Sequence, residues 1–66
     1  MNTSSNAIMT IFDPINNKYR NVKGLRLMSY KDIEKVVEFT VIGNNNEWLM
    51  SLPAEVFIAA NPGITI

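Results

Sequence analysis

The chain has 66 residues, 47% of them hydrophobic and 18% charged, with six cations balancing six carboxylates. It has no cysteine and no histidine, which excludes disulfides, thiolate metal sites and zinc sites of the usual spacing. On folding, a domain of this size buries only roughly 60% of the surface that its unfolded chain exposes. A composition this apolar therefore indicates that some apolar surface contacts another chain, in the simplest case a second copy.

The first half of the chain predicts a tail followed by two strands. Residues 1–6 are small and polar and are expected to form a flexible N-terminal tail, whereas 7–66 form one small domain. The short apolar run 7–12 predicts a strand that ends in a turn over 13–17, where Asp13-Pro14 and two asparagines favour reversal. A second strand is expected over 18–28. Its apolar alternation changes phase at Gly24, which predicts a bulge or bend there.

The second half predicts a hairpin and a helix. Ser29 and Asp32 are spaced to cap a single helical turn over 30–35. Residues 36–42 and 47–52 alternate as two strands about a Gly-Asn-Asn-Asn turn. A proline opens a helix over 53–60, Asn-Pro-Gly stops it at 61–63, and 64–66 could add a last strand. The core under the helix is expected to contain the following four side chains: Trp48, Met50, Val56 and Phe57.

This order of elements predicts a mainly β domain with one short C-terminal helix. Two architectures fit it: a small antiparallel sheet with the helix packed across it, or an SH3-like barrel of four to five strands. The barrel rests on an analogy of element order alone.

Chemistry that would support an enzyme is sparse in this sequence. Without His or Cys, a general acid and base would have to be a carboxylate pair such as Glu38 and Glu47, and a chain this short has little room for a pocket that excludes water. The acidic residues do not follow a calcium-loop spacing, and the three glycines form no phosphate-binding loop. We therefore expect a non-enzymatic protein with no catalytic residues, no metal, no cofactor and no small-molecule substrate.

The charge is segregated along the chain. All six cations lie between positions 18 and 35, against only Asp32 and Glu34 in the same window, while the remainder of the chain is acidic. One interpretation is a face that contacts nucleic acid or an acidic partner. That face would consist of the following five residues: Lys18, Tyr19, Arg20, Lys23 and Arg26. The alternative is an edge strand whose lysines discourage unwanted pairing. Zero net charge weakens the nucleic-acid interpretation.

Three apolar residues fall at positions where folding gives them no evident role. Ile15 lies in a polar turn, and Leu49 and Ile58 fall on the faces of their elements opposite the expected core. They are the predicted partner-binding residues. The resulting hypothesis is an accessory protein that acts by protein contact and tends to form homo-oligomers, with nucleic-acid binding as the alternative.

Location is constrained only loosely. The start of the chain lacks the basic and apolar regions of a signal peptide, and no run is long enough to span a membrane. We expect a cytoplasmic protein without membrane contact. Small free-standing domains of this kind are often encoded by viruses or phages, which would place it in the host cytoplasm or the virion, decorating a particle or inhibiting a host factor.

Overall fold

A single antiparallel sheet carries one short helix. The computed structural model describes residues 7–31 and 34–66. The elements, in chain order, are β1 (Met9–Asp13), β2 (Lys18–Tyr30), β3 (Glu34–Ile42), β4 (Glu47–Pro53) and α1 (Ala54–Ala60). The strands lie in the sheet in the order β1-β2-β3-β4, so β1 and β4 form its edges. The predicted mainly β fold with a C-terminal helix is confirmed, in the form of an open sheet of four strands.

Two predictions concern parts of the chain outside the described residues. These are the tail over 1–6 and the side chain of Asp32. Within the described residues, no helix is long and apolar enough to cross a membrane.

The core lies between the sheet and α1 because alternate strand residues point to that side. Val37, Phe39 and Val41 of β3 are buried, and their cross-strand partners follow them to the same face. On the helix, Phe57 is fully buried and its ring centroid lies 6.1 Å from that of Phe39. Burial of these two rings stabilises the packing of α1 on the sheet.

The expected bulge at Gly24 is confirmed. The register between β2 and β3 shifts between Lys23 and Arg26, so two residues of β2 oppose the single residue Phe39. Gly24 has φ 68°, a left-handed conformation that costs glycine little and other residues more. The shift keeps Lys23 and Arg26 on the same face of the sheet although three positions separate them, and it turns Leu25 towards the core.

Two local predictions are wrong. The described residues of the predicted helical turn over 30–35 lie in no helix, since β2 continues to Tyr30, Lys31 has φ 57° and β3 begins at Glu34, while 32 and 33 lie outside the described residues. The β-branched residues of β3, among them Val36, Val37 and Thr40, favour an extended conformation over a helical one. Residues 64–66 form no strand: the N–H of Ile64 donates to the carbonyl of Asn61, and the Ile64 side chain packs against the core.

Proline and asparagine set the ends of the helix, as the sequence predicts. Pro53 occupies the N-cap position and Asn61 the C-cap position. The expected core beneath the helix is confirmed for Phe57, while Met50 and Val56 are half-buried. Trp48 keeps 40% of its surface exposed, although it shares the face of Met50 and Leu52. It lies at the start of the edge strand β4, opposite Val41.

Candidate binding surfaces of the sheet

The turn between β1 and β2 is built around a buried carboxylate. Asp13 is fully buried, and its Oδ1 accepts hydrogen bonds from the backbone N–H groups of Ile15 at 3.0 Å and Asn16 at 3.2 Å. Its Oδ2 accepts from the Asn16 side chain at 2.8 Å and from Nε of Arg20 at 2.7 Å. Asn17 completes the reversal with φ 56°. This network holds the tip of the turn in one conformation.

The same network fixes the charge of Asp13. Burial by itself would raise the pKa of the carboxyl, but the hydrogen bonds from Asn16, Arg20 and the N–H of Ile15 outweigh it and lower the pKa to about 2. Asp13 is therefore ionised throughout the neutral range. A carboxylate of such low pKa cannot act as a general acid there.

The basic stretch does not form one face. Lys18 and Arg20 point to the side that carries α1, as Val22 does, and Arg20 lies 5.9 Å from the ring centroid of Trp48. Tyr19, Lys23 and Arg26 point to the opposite side. The strand is also an inner strand, between β1 and β3, so the explanation of its lysines as edge protection is wrong.

Three of the five predicted cationic or aromatic contact residues are neutralised by carboxylates. Arg20 pairs with Asp13 at 2.7 Å, and Nζ of Lys23 lies 3.2 Å from Oε1 of Glu47. Arg26 donates to Oε1 of Glu38, the residue directly opposite it on β3. These pairs leave less positive charge for phosphate groups than the sequence suggests.

The face of the sheet away from α1, called the open face below, is partly apolar. It includes Phe12, Tyr19, Lys23, Arg26, Glu38 and Leu49. Tyr19 is 72% exposed and Leu49 59% exposed. The ring of Tyr19 meets that of Phe12 edge-on, with centroids 5.0 Å apart. The open face thus presents exposed aromatic and aliphatic groups around neutralised ion pairs, a composition suited to protein contact.

The three predicted partner-binding residues are all exposed but do not share one surface. Ile15, 67% exposed, lies at the tip of the β1–β2 turn. Leu49 lies on the open face, at the edge strand β4, whereas Ile58, 54% exposed, lies on α1 on the other side of the sheet. Of these residues, Leu49 is the one that belongs to the open face.

Ile58 belongs instead to a shallow groove of about 650 Å³ between the start of β3 and the helix. Its other lining side chains combine apolar groups with charges from Glu34, Lys35 and Glu55. Because the groove is open to solvent and mixes small apolar groups with both signs of charge, it does not form an enclosed site.

The two glutamates predicted as a carboxylate pair are each paired with a different cation. Glu38 and Glu47 lie on the same face, but each pairs with its own cation, Arg26 and Lys23 respectively. Among residues 7–31 and 34–66, no three acidic side chains lie close enough together to hold a metal ion.

Comparison with known proteins adds no relative. No protein family, no curated protein and no solved structure matches this chain.

Two features escape sequence reasoning. Asn61 binds β1 through its side chain, donating from Nδ2 to the carbonyl of Phe12 at 3.0 Å and accepting the N–H of Phe12 at 2.7 Å. No local pattern signals a contact between residues 49 positions apart. The exposure of Trp48 was detectable in principle, because the helix predicted from the sequence is too short to cover both ends of the sheet.

Proposed function

We propose that this protein is a non-catalytic binding module that acts by protein–protein contact, with the open face around Leu49 and Tyr19 as its contact surface. One observation carries the proposal: Lys23 and Arg26 of this face are paired with carboxylates, while Tyr19 and Leu49 remain more than half exposed. Protein interfaces favour exposed aromatic and aliphatic groups that lose water on contact. Decoration of a viral particle and inhibition of a host factor are two roles that such a module could fill.

The state of the carboxylates supports a non-catalytic role. Asp13 is held ionised by four hydrogen-bond donors, and Glu38 and Glu47 each face a cation. General acid catalysis at neutral pH needs a carboxyl whose pKa is raised, and the pKa of Asp13 is lowered.

Nucleic-acid binding remains the second candidate because of one specific feature. Tyr19 presents most of its ring to solvent and is supported edge-on by Phe12, an arrangement on which a base could stack. Lys18, the neighbouring residue, is also exposed. Such binding would weaken steeply with salt, since phosphate contacts release counterions.

Site-specific photo-crosslinking tests the proposal in the cells that produce the protein. A benzophenone amino acid replaces Leu49 in one variant and Asn45, in the β3–β4 turn, in the matched control. We expect adducts with protein from position 49 and few from position 45. Each adduct is treated with nuclease and with protease and then identified by mass spectrometry. Adducts that only nuclease removes would support the nucleic-acid candidate, and equal labelling at both positions would contradict a contact surface at Leu49.

A further inference from the structure

The two edges of the sheet differ in whether their backbone is already bonded. At β1, the side-chain amide of Asn61 both donates to and accepts from the backbone of Phe12, as a neighbouring strand would. That edge is therefore closed at Phe12 against a further strand. At β4, the only neighbouring strand in the described part of the chain is β3, and no strand pairs with its other side.

The free backbone groups of β4 can be assigned from its hairpin. The N–H of Gly43 bonds to the carbonyl of Asn46 at 2.8 Å, which closes the turn. Because bonded and non-bonded pairs alternate along an antiparallel ladder, Trp48 and Met50 bond to β3, and the backbone groups of Glu47, Leu49 and Ser51 point outward. In residues 7–31 and 34–66, no loop or side chain bonds to these outward groups.

Edge strands usually carry a device that prevents pairing, and the centre of β4 carries none of the common ones. The register with β3 is continuous from Glu47 to Pro53, so there is no bulge. The segment Trp48–Ser51 contains no lysine and no proline, and its exposed residues are two large apolar ones, Trp48 and Leu49, and the small uncharged Ser51. Such an edge is suited to accept another strand.

We propose that a second copy of this chain pairs antiparallel with β4 about a two-fold axis at Leu49, joining two sheets into one of eight strands. In this register Leu49 faces Leu49 of the second copy on the open face. Trp48 faces Met50 of the second copy on the helix side, and Glu47 faces Ser51. The outward groups of Glu47, Leu49 and Ser51 then bond across the axis, and Pro53, which lacks an N–H, lies outside the paired segment.

Self-complementarity favours a second copy over a foreign strand. About Leu49 the segment places apolar groups opposite apolar groups on both faces, and it places no two like charges opposite each other. The pairing also stops at two copies, because Asn61 occupies the other edge at Phe12 and a head-to-tail filament would need that edge. The predicted assembly is thus a closed dimer.

The dimer rests on the proposed function, since it names a partner for the Leu49 surface. One strand pair buries less area than the roughly 1,200 Å² of the smallest stable interfaces, so we expect dissociation in the micromolar range. The two open faces would become continuous, with both helices on the opposite side. This doubles the contact surface available to any further protein.

A charge-exchange experiment tests both the partner and the register. Sedimentation velocity of the wild-type protein, from roughly 1 to 500 µM, should show a monomer–dimer equilibrium. Leu49→Glu and Leu49→Lys should each be monomeric, because two like charges then face each other at the axis. An equimolar mixture of the two variants should restore the dimer. Asn45→Glu and Asn45→Lys are the matched controls and should dimerise as the wild type does.

Two further measurements keep the outcome decisive. Circular dichroism checks that each variant is folded. Ser51→Pro removes one outward N–H group and leaves the hydrogen bonds between β3 and β4 in place, so this variant should also be monomeric. A wild-type protein that stays monomeric, a dimer that survives both Leu49→Glu and Ser51→Pro, or a mixture that stays monomeric would each overturn the proposal. A monomeric wild type whose position 49 crosslinks to another protein would leave the proposed function standing and remove only the dimer.

Discussion

Replacing Asp13 by asparagine is the sharpest test of what holds the β1–β2 turn. Asparagine keeps one acceptor oxygen, which can still bind the backbone N–H groups of Ile15 and Asn16. Its amide NH₂ takes the place of Oδ2 and faces two donors, Nε of Arg20 and the side-chain N–H of Asn16. Losing a charged hydrogen bond in a buried site costs about 1.5–3 kcal/mol, so we expect a loss of about 2 kcal/mol in the free energy of unfolding at pH 7.

The pH dependence gives a second, independent magnitude. The pKa of Asp13 falls from 3.8 to about 2 in the folded protein. A lowered folded-state pKa contributes stability that is fully present above pH 3.8 and is lost as the pH falls through about 2. At roughly 1.4 kcal/mol per unit, this difference is worth about 2 kcal/mol, the same size as the loss from the substitution. The stability gap between the wild type and Asp13→Asn should therefore close in that pH window.

Urea unfolding measured between pH 7 and pH 2 checks this prediction. The emission of Trp48, the chain's only tryptophan, reports the transition, and a protein concentration of roughly 1 µM keeps the proposed dimer dissociated. Glu55→Gln, which alters an exposed carboxylate on α1, is the control and should change stability by less than about 0.5 kcal/mol. A gap that is absent at pH 7, or that stays constant down to pH 2, would refute the assigned role of Asp13.

Three further substitutions test separate parts of the fold. Asn61→Leu should lower the free energy of unfolding by about 2 kcal/mol and speed hydrogen exchange of the Phe12 amide, because it removes both hydrogen bonds to the β1 edge. An unchanged exchange rate at Phe12 would contradict this. Gly24→Ala should cost about 1 kcal/mol in urea unfolding because its φ is 68°, and a neutral effect would mean that the bulge relaxes. Arg26→Ala should lower the free energy of unfolding by less than about 1 kcal/mol, and by less still in high salt, since the pair of Arg26 with Glu38 is exposed. A large loss of stability that does not depend on salt would contradict a surface pair.

Local patterns predicted most of the fold. The alternation over 36–42 and 47–52 predicted the β3–β4 hairpin. Three of its four strand ends agree with the structure to within one residue, and β3 begins two residues earlier than predicted. Pro53 and Asn61 marked the helix ends, and the change of phase at Gly24 marked the bulge. Each of these features depends on neighbours a few positions apart, which is why the sequence alone carries them.

Features that depend on the relative size of elements were less predictable. The seven residues of α1 span roughly 10 Å, whereas the nine of β3 span about 30 Å, so the helix covers only part of the sheet. Trp48 and Leu27 point to the helix side and still remain partly exposed. The contact between Asn61 and Phe12 joins the last element to the first strand and has no signal in either segment.

The segregated charges of the sequence form ion pairs between neighbouring strands of the fold. Lys23 and Arg26, from the basic stretch, meet Glu47 and Glu38, from the acidic half, across separations of 24 and 12 positions. Arg26 lies directly opposite Glu38, and a slip of β2 by two residues would move the pair to roughly 7 Å apart while leaving the apolar alternation on the correct face. Alternation alone therefore does not distinguish those registers. Opposite charges on neighbouring strands distinguish them, because the ion pairs form in one register only. This favours a role for the basic stretch in strand pairing rather than in binding phosphate.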